Sequence, residues 1–176
     1  QGANEHQIEE SQKAVAQMEA IIGDPDRLCA VAKDFIHHYE TRVAEGAMVA
    51  GKAMFVCMNR NIAYDLYKII VEMRPQWSEK KISDDETALT DKEKKELKPI
   101  EKIKLVMTRS KDDEPALYEM LGTKDDRKEF DRQFKNPKSN FKIAIVVDMW
   151  LTGFDLPELD TIYIDKPIQQ HTLIQT

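Results

Sequence analysis

Four short apolar runs, each followed by a polar loop and most by a stretch of helical spacing, set the tightest limit on how this chain can fold. Ala53–Met58 is apolar throughout, and Lys142–Val147 is nearly so. Lys104–Thr108 and Thr161–Asp165 are shorter candidates. A brief run with no polar position fits a strand covered on both faces. Between the runs the period changes. Ala63, Leu66, Tyr67, Ile70 and Met73 recur at helical spacing before Pro75. Residues 113–121 and 124–134 repeat the pattern with Leu117, Met120 and Leu121, then Phe130 and Phe134. Strands alternating with helices predict an α/β fold, a parallel sheet flanked by helices on both faces. Ligands of such sheets bind outside the carboxyl ends of the strands. The loops after Met58, Thr108 and Val147 are therefore where chemistry is expected.

The first 50 residues read differently. Ile8, Val15, Met18 and Ile22 form a narrow apolar stripe on a helix over 4–22. Gly23-Asp24-Pro25 ends it, and Asp24 and Pro25 suit the start of a second helix. That helix carries Leu28, Val31, Ala32, Phe35, Tyr39 and Val43 on one face. Residues 1–50 are thus a helical lead-in and 51–176 the sheet domain. Gln1-Gly2 resembles the remnant of a cleaved tag. Residues 78–104 hold eight bases and eight acids and read as an exposed helix or mobile insertion rather than a binding surface. His171 is expected to start a helix.

Composition narrows the function classes. A chain of 176 residues makes one domain, or a domain with an appendage, and buries roughly 70% of its unfolded surface without needing a disulfide or metal. The longest apolar runs fall far short of the roughly 20 residues a spanning helix needs, and no signal peptide is evident. The expectation is a cytoplasmic protein with no membrane partner. Cys29 and Cys57 read as reduced core thiols. The net charge of −6 argues against coating nucleic acid by bulk electrostatics, though not against local phosphate contacts.

Several motifs are decoys. Gly46–Lys52 fits G-x-x-x-x-G-K, but Ala53 stands where a magnesium-binding hydroxyl belongs. The segment also follows a helix and opens a strand, the reverse of a phosphate loop. Glu79-x-Lys81 and Glu93-x-Lys95 resemble half of a metal-nuclease motif, without a strand to hold it. His37 and His38 are adjacent and cannot form an i, i+4 metal pair, so no metal site is expected.

The informative stretch is Ile143-Ala144-Ile145-Val146-Val147-Asp148-Met149-Trp150-Leu151-Thr152-Gly153-Phe154-Asp155-Leu156-Pro157. Thr152 and Gly153 can offer backbone amides to a phosphate or another domain. Asp155 can bond a ribose hydroxyl or an arginine. A purely structural loop fits those residues equally well. As a whole, the string resembles the fifth helicase motif of superfamily-2 helicases and translocases, most closely the restriction (R) subunit of type I restriction-modification enzymes. Gly51–Arg60 resembles that family's fourth motif. Lys104–Ser110 with Asp112 resembles the motif between them. Asp160–Pro167 and His171–Gln175 resemble the approach to the sixth.

The resemblance covers about residues 26–176 and implies a RecA-like second motor lobe of a DNA-translocating endonuclease subunit. It implies ATP and magnesium in the complete enzyme, bound between two lobes, with none bound to this piece. It further implies double-stranded DNA, the first motor lobe of the same chain, and the methyltransferase and specificity subunits as partners. The piece would stop before the sixth-motif arginines that stabilise phosphoryl transfer, and would be inactive alone. By position, Asn59, Arg60, Thr108, Arg109, Ser110 and Thr152 are the expected DNA-backbone contacts. Gly153 and Asp155 are the expected ATP-coupling pair. Two other roles stand beside these. Arg60 suits an acid at a helix start, and Thr108 and Ser110 suit capping of the next helix. Another superfamily-2 translocase lobe, or a non-catalytic α/β interaction domain, remains an alternative for the whole.

Overall fold

Asp24 and Pro25 place the first helix that meets the sheet. The computed structural model describes residues 2–48, 50–147, 161–166 and 169–175. In it, α1 spans Gly2–Ile22 and α2 spans Pro25–Ala44. The Asp24 carboxylate accepts the Arg27 amide at 3.0 Å, while Pro25 fills a first-turn position where its missing N–H is no loss. Leu28, Val31, Ala32, Phe35 and Tyr39 are buried as their spacing predicts, joined by Ile36, whereas Val43 is exposed. The stripe on α1 is not covered in the same way. Ile8 and Val15 are 56% and 49% exposed, and only Ile22, at the end that meets α2, enters the core.

The remaining elements are β1 (Ala53–Cys57), α3 (Arg60–Met73), β2 (Lys80–Lys81), α4 (Asp91–Glu96), β3 (Ile100–Glu101), β4 (Ile103–Leu105), α5 (Pro115–Leu121), α6 (Lys124–Lys135), β5 (Ile143–Val147), β6 (Thr161–Lys166) and β7 (Gln169–Gln175). The main sheet has the order β4-β5-β1-β6-β7. Its first four strands are parallel. This is the parallel sheet flanked by helices, with a helical segment ahead of it, that the alternating pattern predicts.

Successive side chains of a strand point to opposite faces, and the core divides accordingly. Ala53, Phe55 and Cys57 of β1 join Ile143, Ile145 and Val147 of β5 on the face covered by α2 and α3. Met54, Val56, Ala144 and Val146 form the other face with Phe134 of α6 and Phe141. On the first face Phe35 of α2 meets Phe55 and Tyr163 edge-on, with centroids 5.4 and 4.7 Å apart. A boundary drawn at residue 50 therefore separates α2 from β1 along the chain, while their side chains share one core.

Two expectations change. The charged stretch 78–104 is pinned rather than mobile. Leu89, Leu97 and Ile100 are each at most 8% exposed, and β2 pairs with β3 in an antiparallel ribbon. Asn140 fastens the ribbon from outside, its side chain donating to the Ile100 carbonyl at 2.7 Å and its amide to the Ile82 carbonyl at 3.1 Å. A few well-placed apolar residues suffice, and most of the charges face outward around them, with Lys104, buried beside its partner Glu101, as the exception. The second change is at His171. It lies in strand β7, antiparallel to β6, and not in a helix. An open strand edge presents unpaired amides and carbonyls, and β7 supplies their partners along β6.

Candidate functional site

At the carboxyl end of the sheet, β1 stops at Cys57 and the chain turns into α3 through Asn59. The Asn59 side chain accepts the Ile62 amide at 2.9 Å and so caps α3. Arg60 is the first residue of that helix. Its guanidinium reaches across the sheet end to the loop that follows β4. One nitrogen donates to the Thr108 carbonyl at 2.6 Å. The other donates to both Asp113 carboxylate oxygens, at 2.6 and 2.7 Å. The Ser110 amide also donates to Asp113, at 2.7 Å. Because β5 lies between β1 and β4 in the sheet, this link spans the end of β5.

Asp113 is a buried acid whose side chain is 8% exposed. Burial pushes its carboxyl up, but the Arg60 bonds, the Ser110 amide and the Arg60 charge together outweigh that, and the net effect is a lowered pKa. Thr108 is exposed. Arg109 lies over the Tyr118 ring, its guanidinium carbon 4.1 Å from the ring centroid. Ser110 accepts the Asp112 amide at 3.3 Å. Neither Thr108 nor Ser110 caps α5, whose N-cap residue is Glu114 and which has no side-chain cap. The structure thus brings Arg60, Thr108 and Ser110 together, with Asn59 and Arg109 alongside. Arg60 takes an acid just ahead of a helix as its partner. Thr152, Gly153 and Asp155 lie outside the described residues.

A second ionic link closes the far side of this edge. Arg27 of α2 forms a forked pair with Asp165, one arm at 3.1 Å. Asp165 ends the parallel pairing of β6 opposite Cys57, and its side chain is 2% exposed. Arg27 also donates to the Ile22 carbonyl at 2.7 Å. Burial pushes the Cys57 thiol well up, with the Asp165 charge adding to it, so this thiol is inert. Cys29 is free as well, though only half-buried.

The amino end of the sheet carries cations of a different kind. Lys52 is 2% exposed and donates to the Phe141 carbonyl. Its ammonium lies 5.3 Å from the Phe134 ring centroid. Burial first, then repulsion from Lys142, lower its pKa to about 6, with Asp84 opposing. Lys142 donates to the Ala50 and Pro137 carbonyls at 3.0 and 2.9 Å. The lysine of the Gly46–Lys52 decoy is therefore turned inward, at the end of the sheet opposite the loops that follow the strands. Among the described residues no three His, Cys, Asp or Glu side chains converge to hold a metal, and no helix is long and apolar enough to cross a membrane.

Asp113 and Asp165 are the residues that sequence reasoning passed over. Their partners lie 53 and 138 positions away, so no local spacing announces either pair. For Arg60 the signal was negative, an arginine at a helix start with no acid within four residues; Arg27, with Asp24 and Asp26 beside it, offered none.

Residues 50–176 match the family model described as type I restriction enzyme subunit R domain 3. The chain is 35% identical over 167 residues, 95% of its length, to the type I restriction enzyme HindI endonuclease subunit of Haemophilus influenzae. It is 35% identical over 175 residues, 98% of its length, to the putative type I restriction enzyme MjaIXP endonuclease subunit of Methanocaldococcus jannaschii. It spans 14% of the length of either relative. No solved structure matches it.

Proposed function

Because this chain belongs to the type I restriction enzyme subunit R domain 3 family, we propose that it is the second motor lobe of an ATP-dependent, DNA-translocating endonuclease subunit. The observation that carries the proposal is the meeting of two strand-following loops, 58–60 and 108–113, at the carboxyl end of a parallel sheet. Ligand-handling loops gather at that end in open α/β sheets. In this reading Asn59, Arg60, Thr108, Arg109, Ser110 and Thr152 form the surface that meets the backbone of duplex DNA. Such contacts set position without reading sequence. Sequence choice then belongs to a specificity subunit, which works with the methyltransferase subunit and with the first lobe of the same chain.

The described residues do not fit a nucleotide by themselves. Lys52 is buried against a carbonyl, and Gly46–Lys52 leads into β1 instead of a helix whose amides could face phosphate. The ATP and magnesium part of the proposal therefore rests on Gly153 and Asp155 with the opposing lobe, and no step is assigned to them here. Asp155→Asn in the complete subunit tests it. DNA-stimulated ATP hydrolysis and translocation should fall sharply while DNA binding survives. Undiminished turnover would remove Asp155 from the motor.

A further inference from the structure

Of the two arginines expected to touch phosphate, Arg60 is already engaged with the protein's own groups. Arg60 holds Asp113 through one guanidinium nitrogen that donates to both carboxylate oxygens, a charge-assisted contact, and holds the Thr108 carbonyl with another nitrogen. Asp113, nearly buried, also takes the Ser110 amide. A carboxylate so placed is costly unless it is paired, so pulling Arg60 away to reach DNA would leave Asp113 without its counter-charge. The two side chains grip the 108–113 loop at its first residue, at Ser110 and at its last residue. Arg109, between the grips, is held differently. It stacks on Tyr118, and no hydrogen bond or ion pair with another described residue engages its guanidinium, so its N–H edges stay available.

We propose that Arg60 and Asp113 are positioning residues, a clasp that shapes the 108–113 loop for the DNA backbone, and that Arg109 is the arginine that contacts phosphate. This rests on the DNA-binding reading above and divides its residues into those that touch and those that hold. The rival arrangement makes Asp113 a stand-in for phosphate that DNA must displace from Arg60. The two differ in sign. If Asp113 positions the loop, neutralising it weakens DNA binding. If it competes with phosphate, neutralising it strengthens binding.

The test is DNA binding by the complete subunit across a salt series, with thermal melting of each variant. Asp113→Asn should weaken binding roughly tenfold, on the scale of one charge-assisted bond, and leave the slope of affinity against salt unchanged. Arg60→Lys should do the same, because lysine keeps the charge but has a single nitrogen and cannot hold Asp113 and the Thr108 carbonyl with separate ones. It carries the test if Asp113→Asn melts early. The double variant Arg60→Ala with Asp113→Ala should be no worse than Arg60→Ala alone. Arg109→Ala should flatten the salt slope by about one unit, the signature of one lost phosphate contact. Tighter or unchanged binding by Asp113→Asn would overturn the clasp, as would wild-type affinity in Arg60→Lys. If Arg109→Ala and Thr108→Ala both leave affinity and slope intact, the DNA-binding reading of this loop falls, and the clasp's role with it.

Discussion

The two ends of the sheet carry different kinds of cation and use them in opposite ways. At the amino end, Lys52 and Lys142 point into the protein and donate to backbone carbonyls. At the carboxyl end, Arg27 and Arg60 pair with carboxylates, and each remains about one-third exposed. Lysine is a point charge that shifts its pKa when buried, whereas arginine stays charged and brings a planar fork. The amino end can therefore be sealed with a lysine, Lys52, that gives up its charge. The carboxyl end keeps its charge, and it keeps its loops in fixed shapes. A sequence search sensitive only to a lysine after glycines would choose the wrong end.

The sharpest way to break this contrast is to remove a carboxylate at the carboxyl end. Asp165→Ala leaves Arg27 without its forked partner. Losing one member of a buried pair costs several kcal/mol, and Arg27 can partly rehydrate, so a loss of about 2–3 kcal/mol is expected. Urea unfolding of wild type and variant measures it. A loss below about 0.5 kcal/mol, the usual range for a surface substitution, would mean the pair does not fasten α2 to β6.

A smaller effect is expected at Asn59. Replacing it with Ala removes the cap of α3 and should cost about 1 kcal/mol. Asn59→Asp, which can still accept the Ile62 amide, should restore most of the loss. If aspartate fails to restore it, the side chain is doing something besides capping.

The smallest effect, and the one that most sharpens the contrast, is at Lys52. Its pKa is about 6 when folded and 10.5 as an ordinary lysine. Between those values the unfolded chain binds more protons, so stability rises with pH across that window. His38, whose pKa is lowered chiefly by burial, acts below this range. Tyr163, raised to about 12 by burial, stabilises the fold below its ordinary range and loses that contribution only as pH climbs toward 12. Melting temperature should therefore climb from about pH 7 to about pH 9, and Lys52→Met should flatten the climb. A variant that melts with the wild-type pH profile would show that Lys52 keeps its proton in the fold.

Much of the architecture was legible because burial writes itself into local spacing. Ala53–Met58 and Lys142–Val147 could only be strands covered twice, and both became central strands of the sheet. The face of α2 was readable from Leu28 to Tyr39 for the same reason. Residues 78–104 do hold an exposed helix, α4, as their charge pattern suggests, but the pinning of the stretch was not readable, because it depends on isolated apolar residues and on Asn140, none of which makes a period. His171–Gln175 was misjudged because a short polar run has no preferred structure until β6 offers it an edge. At the candidate site, the positions of Asn59 and of 108–110 at strand ends were readable. The link between them was not, since Arg60 and Asp113 meet only after the sheet sets β1 and β4 on either side of β5.

In the proposed function the carboxyl end of the sheet, and not the amino end, is the face that meets DNA. Hydrogen–deuterium exchange of the complete subunit, with and without duplex DNA, distinguishes the two ends. Slowed exchange is expected in peptides covering 59–61 and 108–113, with no change in those covering 50–53 and 139–142. Slowed exchange at the Lys52 end, with 59–61 and 108–113 unaffected, would contradict it.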